Sequence, residues 1–282
     1  MSEWTLIDAA DLARLIEQGD VLVCDCRFDL ADPDAGRRAY RAGHIPGAVY
    51  VDLERDLSGA PNGTNGRHPL PEREAFATRM AELGASNDGL VVAYDNSGGY
   101  YASRLWWMLR WAGHGQVAVL DGGLDAWIDA GRQLEQGDAS TRPGDFRASP
   151  GPTMPVTEVQ AVVANLASGE LLVIDARTAE RFAGAPHPLD TASGHIPGAG
   201  NRFWQRNLTP DGRFKAAEEL AQEFAELLQG RSADTIVHQC GSGVTATHNL
   251  LAMEVAGLRG SRLYPGSWSE WTSDARRPIA TD

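Results

Sequence analysis

A cysteine that ends a strand and is followed by small residues and then a helix is equipped to hold negative charge. Cys240 opens the run Cys240-Gly241-Ser242-Gly243-Val244-Thr245, directly after the apolar Ile236 and Val237 and before an apolar, helix-like stretch. A chain that turns through such a loop aims several backbone N–H groups, and the positive end of the helix, at the sulfur. A loop of this construction favours thiolate over thiol, and a thiolate is a nucleophile. The competing reading is a buried cysteine acting as a small hydrophobe. Two glycines among the four residues after Cys240 pack a core poorly and serve a loop well, which favours the nucleophile.

The elements that must position this loop are written twice in the chain. Leu22-Val23-Cys24-Asp25-Cys26-Arg27 returns as Leu172-Val173-Ile174-Asp175-Ala176-Arg177, each a short apolar strand ending in Asp-x-Arg. Gly43-His44-Ile45-Pro46-Gly47-Ala48 recurs letter for letter as Gly194-His195-Ile196-Pro197-Gly198-Ala199. Val91-Val92-Ala93-Tyr94-Asp95 matches Ile236-Val237-His238-Gln239-Cys240, and Leu120-Asp121-Gly122-Gly123 before Trp127 matches Leu263-Tyr264-Pro265-Gly266 before Trp271. Order and spacing are kept, so the chain holds two copies of one domain. Helix-like segments (9–18, 72–83 and 103–112, then 157–167, 217–229 and 245–256) alternate with short β-rich runs. That alternation predicts an α/β fold with a mostly parallel sheet in each copy, flanked by helices on both faces. Cys240 then falls at the carboxyl end of a strand, where open α/β sheets bind ligands. The Pro- and Gly-rich stretch after residue 136 reads as a linker, giving domains 1–136 and 155–282 with the linker at 137–154.

The repeat is also a control. Features present in both copies are expected to be structural, so His44 and His195, with Pro46 and Pro197 beside them, are read as parts of a turn. Features present in one copy are candidates for chemistry. Asp95 stands where the second copy has Cys240, which predicts an inactive first domain and an active second one.

Composition narrows the partners. Of 282 residues, 43% are hydrophobic, enough for two ordinary cores. The formal net charge of -13 argues against nucleic acid or an anionic membrane as a partner, and an anionic substrate would need a local basic patch. Met1-Ser2-Glu3-Trp4-Thr5 shows no secretory signal, and no apolar run has the length of a membrane span. Three cysteines make no disulfide framework, which fits a reducing cytoplasm, and Cys24 and Cys26, on one face of a predicted strand, read as core. The tryptophans, among them Trp106, Trp107, Trp268 and Trp271, read as packing.

With its paired Asp-x-Arg and Gly-His-Ile-Pro-Gly-Ala motifs and the closing Gly266-Ser267-Trp268-Ser269-Glu270-Trp271, the chain resembles the tandem rhodanese-domain sulfurtransferases over essentially its whole length. The electrically neutral loop from Cys240 to Thr245, with Gly241, Gly243, Val244 and Thr245 as substrate-cradling positions, resembles that of the 3-mercaptopyruvate sulfurtransferases. Thiosulfate-preferring members carry a charged pair after the cysteine. The resemblance implies two steps: sulfur passes from 3-mercaptopyruvate to a Cys240 persulfide with release of pyruvate, then to a thiol such as thioredoxin or a low-molecular-weight thiol, or to cyanide. It implies no metal and no organic cofactor. It assigns Arg181 to the donor's anionic group, and a proton relay to Ser242, His68 and Asp52. A second arginine usual before the Gly-His-Ile-Pro-Gly motif is missing from 183–193, where His187 is a substitute donor; Arg67, beside His68, adds positive charge.

Three rival readings remain. Thiosulfate is the alternative donor. A cysteine-dependent phosphatase needs an arginine closing the loop, where this chain has Ala246, Thr247 and His248. A non-catalytic sulfur-carrier module would not need the intact loop at Cys240.

Overall fold

The computed structural model describes residues 4–140 and 142–281. The first three residues of the segment read for a secretory signal, Thr141 of the expected linker, and Asp282 lie outside the described residues.

The chain divides into two compact units, one of Met1–Ser58, Pro71–Thr153 and Leu208–Phe214, the other of Gly59–Leu70, Met154–Asn207 and Lys215–Asp282. These units are not contiguous, unlike the expected bounds 1–136, 137–154 and 155–282. In the first unit, a turn bridged from Leu208 to Phe214 gives the Phe214 N–H to Asp121. The stretch after residue 136 is fastened to the first unit. Gly144, Phe146 and Ser149 donate their N–H groups to the carbonyls of Ala81, Ala85 and Ala112, and the Phe146 ring is buried. Composition reports polarity and turn residues but not these backbone partners.

In the first unit β1 (Leu6–Ile7), β2 (Val21–Asp25), β3 (Val49–Tyr50), β4 (Leu90–Tyr94) and β5 (Val117–Leu120) form a parallel sheet in the order β1-β5-β4-β2-β3. In the second, β6 (Leu172–Asp175), β7 (Gly200–Asn201), β8 (Ile236–Gln239) and β9 (Arg262–Leu263) are parallel in the order β7-β6-β8-β9. A parallel bridge from Val156 to Leu263 stands where β1 stands in the first unit. The two topologies match, as a repeat requires. Every residue of β8 is buried, the polar His238 and Gln239 along with Ile236 and Val237, because helices cover both faces of the sheet.

The expected helices fall at Ala9–Gln18, Arg73–Glu82, Ala102–Trp111, Val159–Ser168, Ala217–Leu228 and Ala246–Val255. The first begins where the Asp8 carboxylate accepts the N–H groups of Ala10 and Asp11, and ends at Gly19, whose φ of 76° suits glycine. Its Leu12 and Ala13 enter a core with Val92, Tyr94 and Trp127. The second unit's core gathers Val162, Val237, Trp268 and Trp271.

The repeated motifs are structural joints. Arg27 donates to both carboxylate oxygens of Asp25 and to the Gly43 carbonyl, and Arg177 does the same to Asp175 and Gly194. Each pair rivets a strand end to the turn that follows. The His44 and His195 rings stack on Tyr40 and Phe182 at 4.1 and 3.7 Å, with Nδ1 at 2.8 and 2.7 Å from those residues' carbonyls. Both histidines are therefore turn components in their own units. Cys24 and Cys26 are buried, and burial pushes both thiols far up. β2 ends at Asp25, so Cys26 stands one residue beyond the strand.

His238, inside β8, is fully buried with Nε2 3.0 Å from Met253 Sδ. Burial, with the Arg202 charge adding to it, pushes its pKa down from 6.5 to about 3. The unfolded chain takes up a proton there that the folded chain refuses. Stability should therefore rise with pH across that window, His238 contributing about 1.4 kcal/mol per pH unit. Denaturant titrations from neutrality down to about pH 4 should show a shallower slope for His238→Leu than for the wild type; identical slopes would contradict the assignment.

Candidate active site

The first unit shows what its loop after the central strand can hold. Asp95 follows β4 and is fully buried. Its Oδ1 accepts the N–H groups of Ser97 and Gly99 at 2.8 and 2.9 Å, and its Oδ2 those of Tyr101 and Ala102 at 2.7 and 2.9 Å. The turn is an anion cradle occupied by the protein's own carboxylate.

In the second unit the same strand end carries Cys240, 2% exposed. The carbonyls of the two residues make the same bond, Asp95 accepting from Leu124 N–H and Cys240 from Trp268 N–H. Among the described residues, the N–H groups of Gly241, Ser242, Val244 and Thr245 make no hydrogen bond within the protein. They are available to an anion on the sulfur, and the helix Ala246–Val255 begins immediately after them.

The loop is fixed from one side by Ser267, Trp268 and Ser269. Ser267 Oγ accepts the Cys240 N–H at 3.1 Å and donates to the Tyr264 carbonyl, while Ser269 N–H donates to the Gly241 carbonyl. Ser267 has a φ of 52°, uncommon for a residue with a side chain, where the first unit uses Gly123 at 59°. The structural partner of Gly123 is thus Ser267 and not Gly266 as the sequence match suggests; with Val119 opposite Ala93 and Leu263 opposite His238, the match shifts by one residue and the two turns have the same length. Gly243, at φ 78°, is required for space as well, since a β-carbon there would lie 2.2 Å from the Pro265 carbonyl oxygen. Val244 and Thr245 are buried, with the Val244 carbonyl accepting from Thr247 Oγ1. Behind the loop, Asn207 donates to Asn249, and Asn249 to the Arg202 carbonyl, tying the helix Ala246–Val255 to its own unit. The sequence gives no spacing signal for this buried polar network.

Residues 59–70 belong to the second unit and bring in Arg67 and His68. His68, 3% exposed, has Nδ1 2.8 Å from Ser242 Oγ, so the expected serine–histidine pair forms. Gly241 is flanked by two guanidinium groups. A β-carbon added there would lie 3.2 Å from Arg181 Nη2 and 3.4 Å from Arg67 Nη2. Arg67 is held by Nη1 on the Leu189 carbonyl and by its own N–H on Ser269 Oγ. Arg181 is held by the Asp190 carboxylate, which takes its Nε and Nη2 at 2.9 and 2.7 Å and leaves the Nη1 edge for a ligand. Asp190 also lies 3.4 Å from Arg177. The sequence of 183–193 shows a missing cation there, while the residue that matters, Asp190, is an anion that aims a cation from elsewhere, and no spacing marks that role.

His187, the expected substitute donor, is a poorer cation than an arginine. Its pKa is lowered by burial and by the Arg181, Arg67 and Arg177 charges, and its Nδ1 accepts the Leu189 N–H. The second guanidinium beside Gly241 is Arg67. Asp52 lies in the first unit, where its Oδ1 accepts the N–H groups of Glu54 and Arg55. A cavity of about 270 Å³ in the second unit is lined by Gly63, Arg67, Leu189, Asp190, Trp268 and Ser269. A larger groove of about 780 Å³ sits at the amino ends of β2 and β4 in the first unit, beside Asp20 and Leu90, away from Cys240 in sequence and in unit. Among the described residues no three His, Cys, Asp or Glu side chains are grouped to hold a metal, and no helix is long and apolar enough to cross a membrane.

What the first unit's loop does for a carboxylate, the second unit's loop can do for a sulfur anion. That puts the molecule among the α/β enzymes that carry a transferred group on cysteine. The family described as Rhodanese-like domain matches residues 8–130 and 158–274. The chain is 48% identical, over 100% of its length and 99% of the relative's, to a probable 3-mercaptopyruvate sulfurtransferase of Pseudomonas aeruginosa. It is 38% identical, over 97% of its length and 96% of the relative's, to a putative thiosulfate sulfurtransferase, SseB, of Mycobacterium tuberculosis. The crystal structure of the 3-mercaptopyruvate sulfotransferase SseA of Escherichia coli matches with a TM-score of 0.81 and 35% identity, covering 94% of this chain and 99% of that one. The chain belongs to the rhodanese family, with two rhodanese-like domains in tandem, and is an enzyme of the sulfurtransferase type.

Proposed function

We propose that the protein moves a sulfur atom from 3-mercaptopyruvate through a Cys240 persulfide to a thiol or cyanide acceptor, with pyruvate as co-product. The observation that carries this reading is the pair of guanidinium groups, Arg67 and Arg181, on either side of Gly241 beside an uncharged loop. A donor with a carboxylate set back from its sulfur can be gripped by both while the sulfur reaches Cys240. The Cys240 thiolate attacks the donor sulfur, a sulfur–sulfur bond forms, the carbon–sulfur bond breaks, and its electron pair leaves on the enolate of pyruvate. A proton delivered through Ser242 and His68 converts the enolate to pyruvate. The 2.8 Å contact of His68 with Ser242 supports that part of the relay. We propose Asp52 as its carboxylate, and read 1–136 as the domain that lacks the nucleophile, Asp95 standing in its place, and 155–282 as the one that carries Cys240.

The persulfide anion is held by the loop N–H groups at Gly241, Ser242, Val244 and Thr245 until an acceptor, thioredoxin or a small thiol, removes the outer sulfur. Three free cysteines are in keeping with a cytoplasmic enzyme. The named thiosulfate sulfurtransferase relative keeps thiosulfate as a second donor to be measured. Pyruvate release from 3-mercaptopyruvate should exceed sulfite release from thiosulfate in kcat/KM. Arg67→Gln and Arg181→Gln should each raise KM for 3-mercaptopyruvate by roughly 10- to 100-fold, the worth of a charge-assisted pair. Higher kcat/KM with thiosulfate would overturn the donor assignment.

A further inference from the structure

The segment that brings Arg67 and His68 to the catalytic loop contains two Asn-Gly pairs, Asn62-Gly63 and Asn65-Gly66. An asparagine followed by glycine can cyclise, because the glycine nitrogen meets no side chain on its way to the asparagine Cγ. The two pairs are not held alike. The Asn65 amide is tied at both ends, Oδ1 accepting Asn62 N–H at 2.9 Å and Nδ2 donating to the Ala60 carbonyl at 3.1 Å. Gly66 is also pressed against Gly266, whose carbonyl oxygen would lie 2.8 Å from an added β-carbon.

Asn62 is arranged for reaction. It is exposed, and its Oδ1 accepts both the N–H of Thr64 at 2.9 Å and the Thr64 hydroxyl at 3.0 Å. Two donors on that oxygen stabilise the negative charge that develops on it when a nucleophile adds to Cγ, as an oxyanion hole does. Gly63, at φ 86°, has nothing within 4 Å of an added β-carbon. Among the described residues neither the Gly63 N–H nor Asn62 Nδ2 makes a hydrogen bond. Attacking nitrogen and leaving group are both unencumbered.

We propose that Asn62 is a site of spontaneous deamidation that lowers the enzyme's affinity for its anionic donor as the protein ages. Hydroxide takes the Gly63 amide proton, the nitrogen–Cγ bond forms, and the Cγ–Nδ2 bond breaks with ammonia leaving. Water then opens the cyclic imide to aspartate or isoaspartate, so an –NH2 is exchanged for an –OH that ionises. The new charge lies in the same short segment as Arg67 and opposes the attraction of a donor carboxylate. The effect on the donor rests on the sulfurtransferase reading above; the modification itself does not.

The test incubates the full-length protein at mildly alkaline pH and maps the peptides by mass. A gain of one dalton at Asn62, with Asn65 intact, and a slower gain in Thr64→Val are expected. Conversion first at Asn65, conversion at neither, or an unchanged rate in Thr64→Val would overturn the site. Separately, Asn62→Asp should raise KM for 3-mercaptopyruvate about two- to threefold, with kcat unchanged, as expected of one screened charge. An unaltered KM would overturn the functional consequence while leaving the mass result standing. An enzyme that does not turn over 3-mercaptopyruvate at all would instead refute the proposed function.

Discussion

Asp95→Ala is expected to destabilise the first unit by about 3–5 kcal/mol, near the upper end of single-residue effects. The carboxylate, itself fully buried, satisfies four backbone N–H groups of the turn. Removing it leaves those donors without a partner and with little access to water. Asp95→Asn keeps the shape but replaces one acceptor oxygen with an NH2 that faces two N–H groups, so it should cost nearly as much. Calorimetry on the full chain would show the loss as a lowered transition for one unit, since two units need not melt together. A change below about 0.5 kcal/mol would mean that the aspartate is not the anion that shapes the loop.

Cys240→Ser should lower sulfur transfer by at least about four orders of magnitude, because a hydroxyl neither ionises at neutral pH nor forms a stable bond to the transferred sulfur. The same substitution should leave stability within about 0.5–1 kcal/mol, as the side chains are nearly isosteric and the loop is held by backbone bonds. Steady-state turnover and thermal melting on one preparation separate the two effects. Transfer within tenfold of wild type would place the nucleophile elsewhere.

The repeat made much of this legible in the chain itself. Two copies of Asp-x-Arg and of Gly-His-Ile-Pro-Gly-Ala located the parallel strands and marked His44 and His195 as structural, because each pairing is local and each residue type has one evident use there. Asp95 opposite Cys240 identified the asymmetric position. The short helices Ala179–Phe182 and Ser267–Trp271 were not legible, since a few residues carry no periodicity. Nor was the αL conformation of Ser267, which a glycine would have announced. The roles of Asp190 and Arg67 depend on which side chains tertiary folding places around Gly241. That is a property of residues far apart in sequence, and it surfaces only once 59–70 is seen to belong to the second unit.

The direct test of the central claim is the intact mass of the folded protein after brief exposure to 3-mercaptopyruvate with no acceptor present. A gain of one sulfur atom per chain, mapped to Cys240, with one pyruvate released, is expected, and so is its removal when a thiol is added. No gain in a folded sample, or a gain on Cys24 or Cys26, would contradict it.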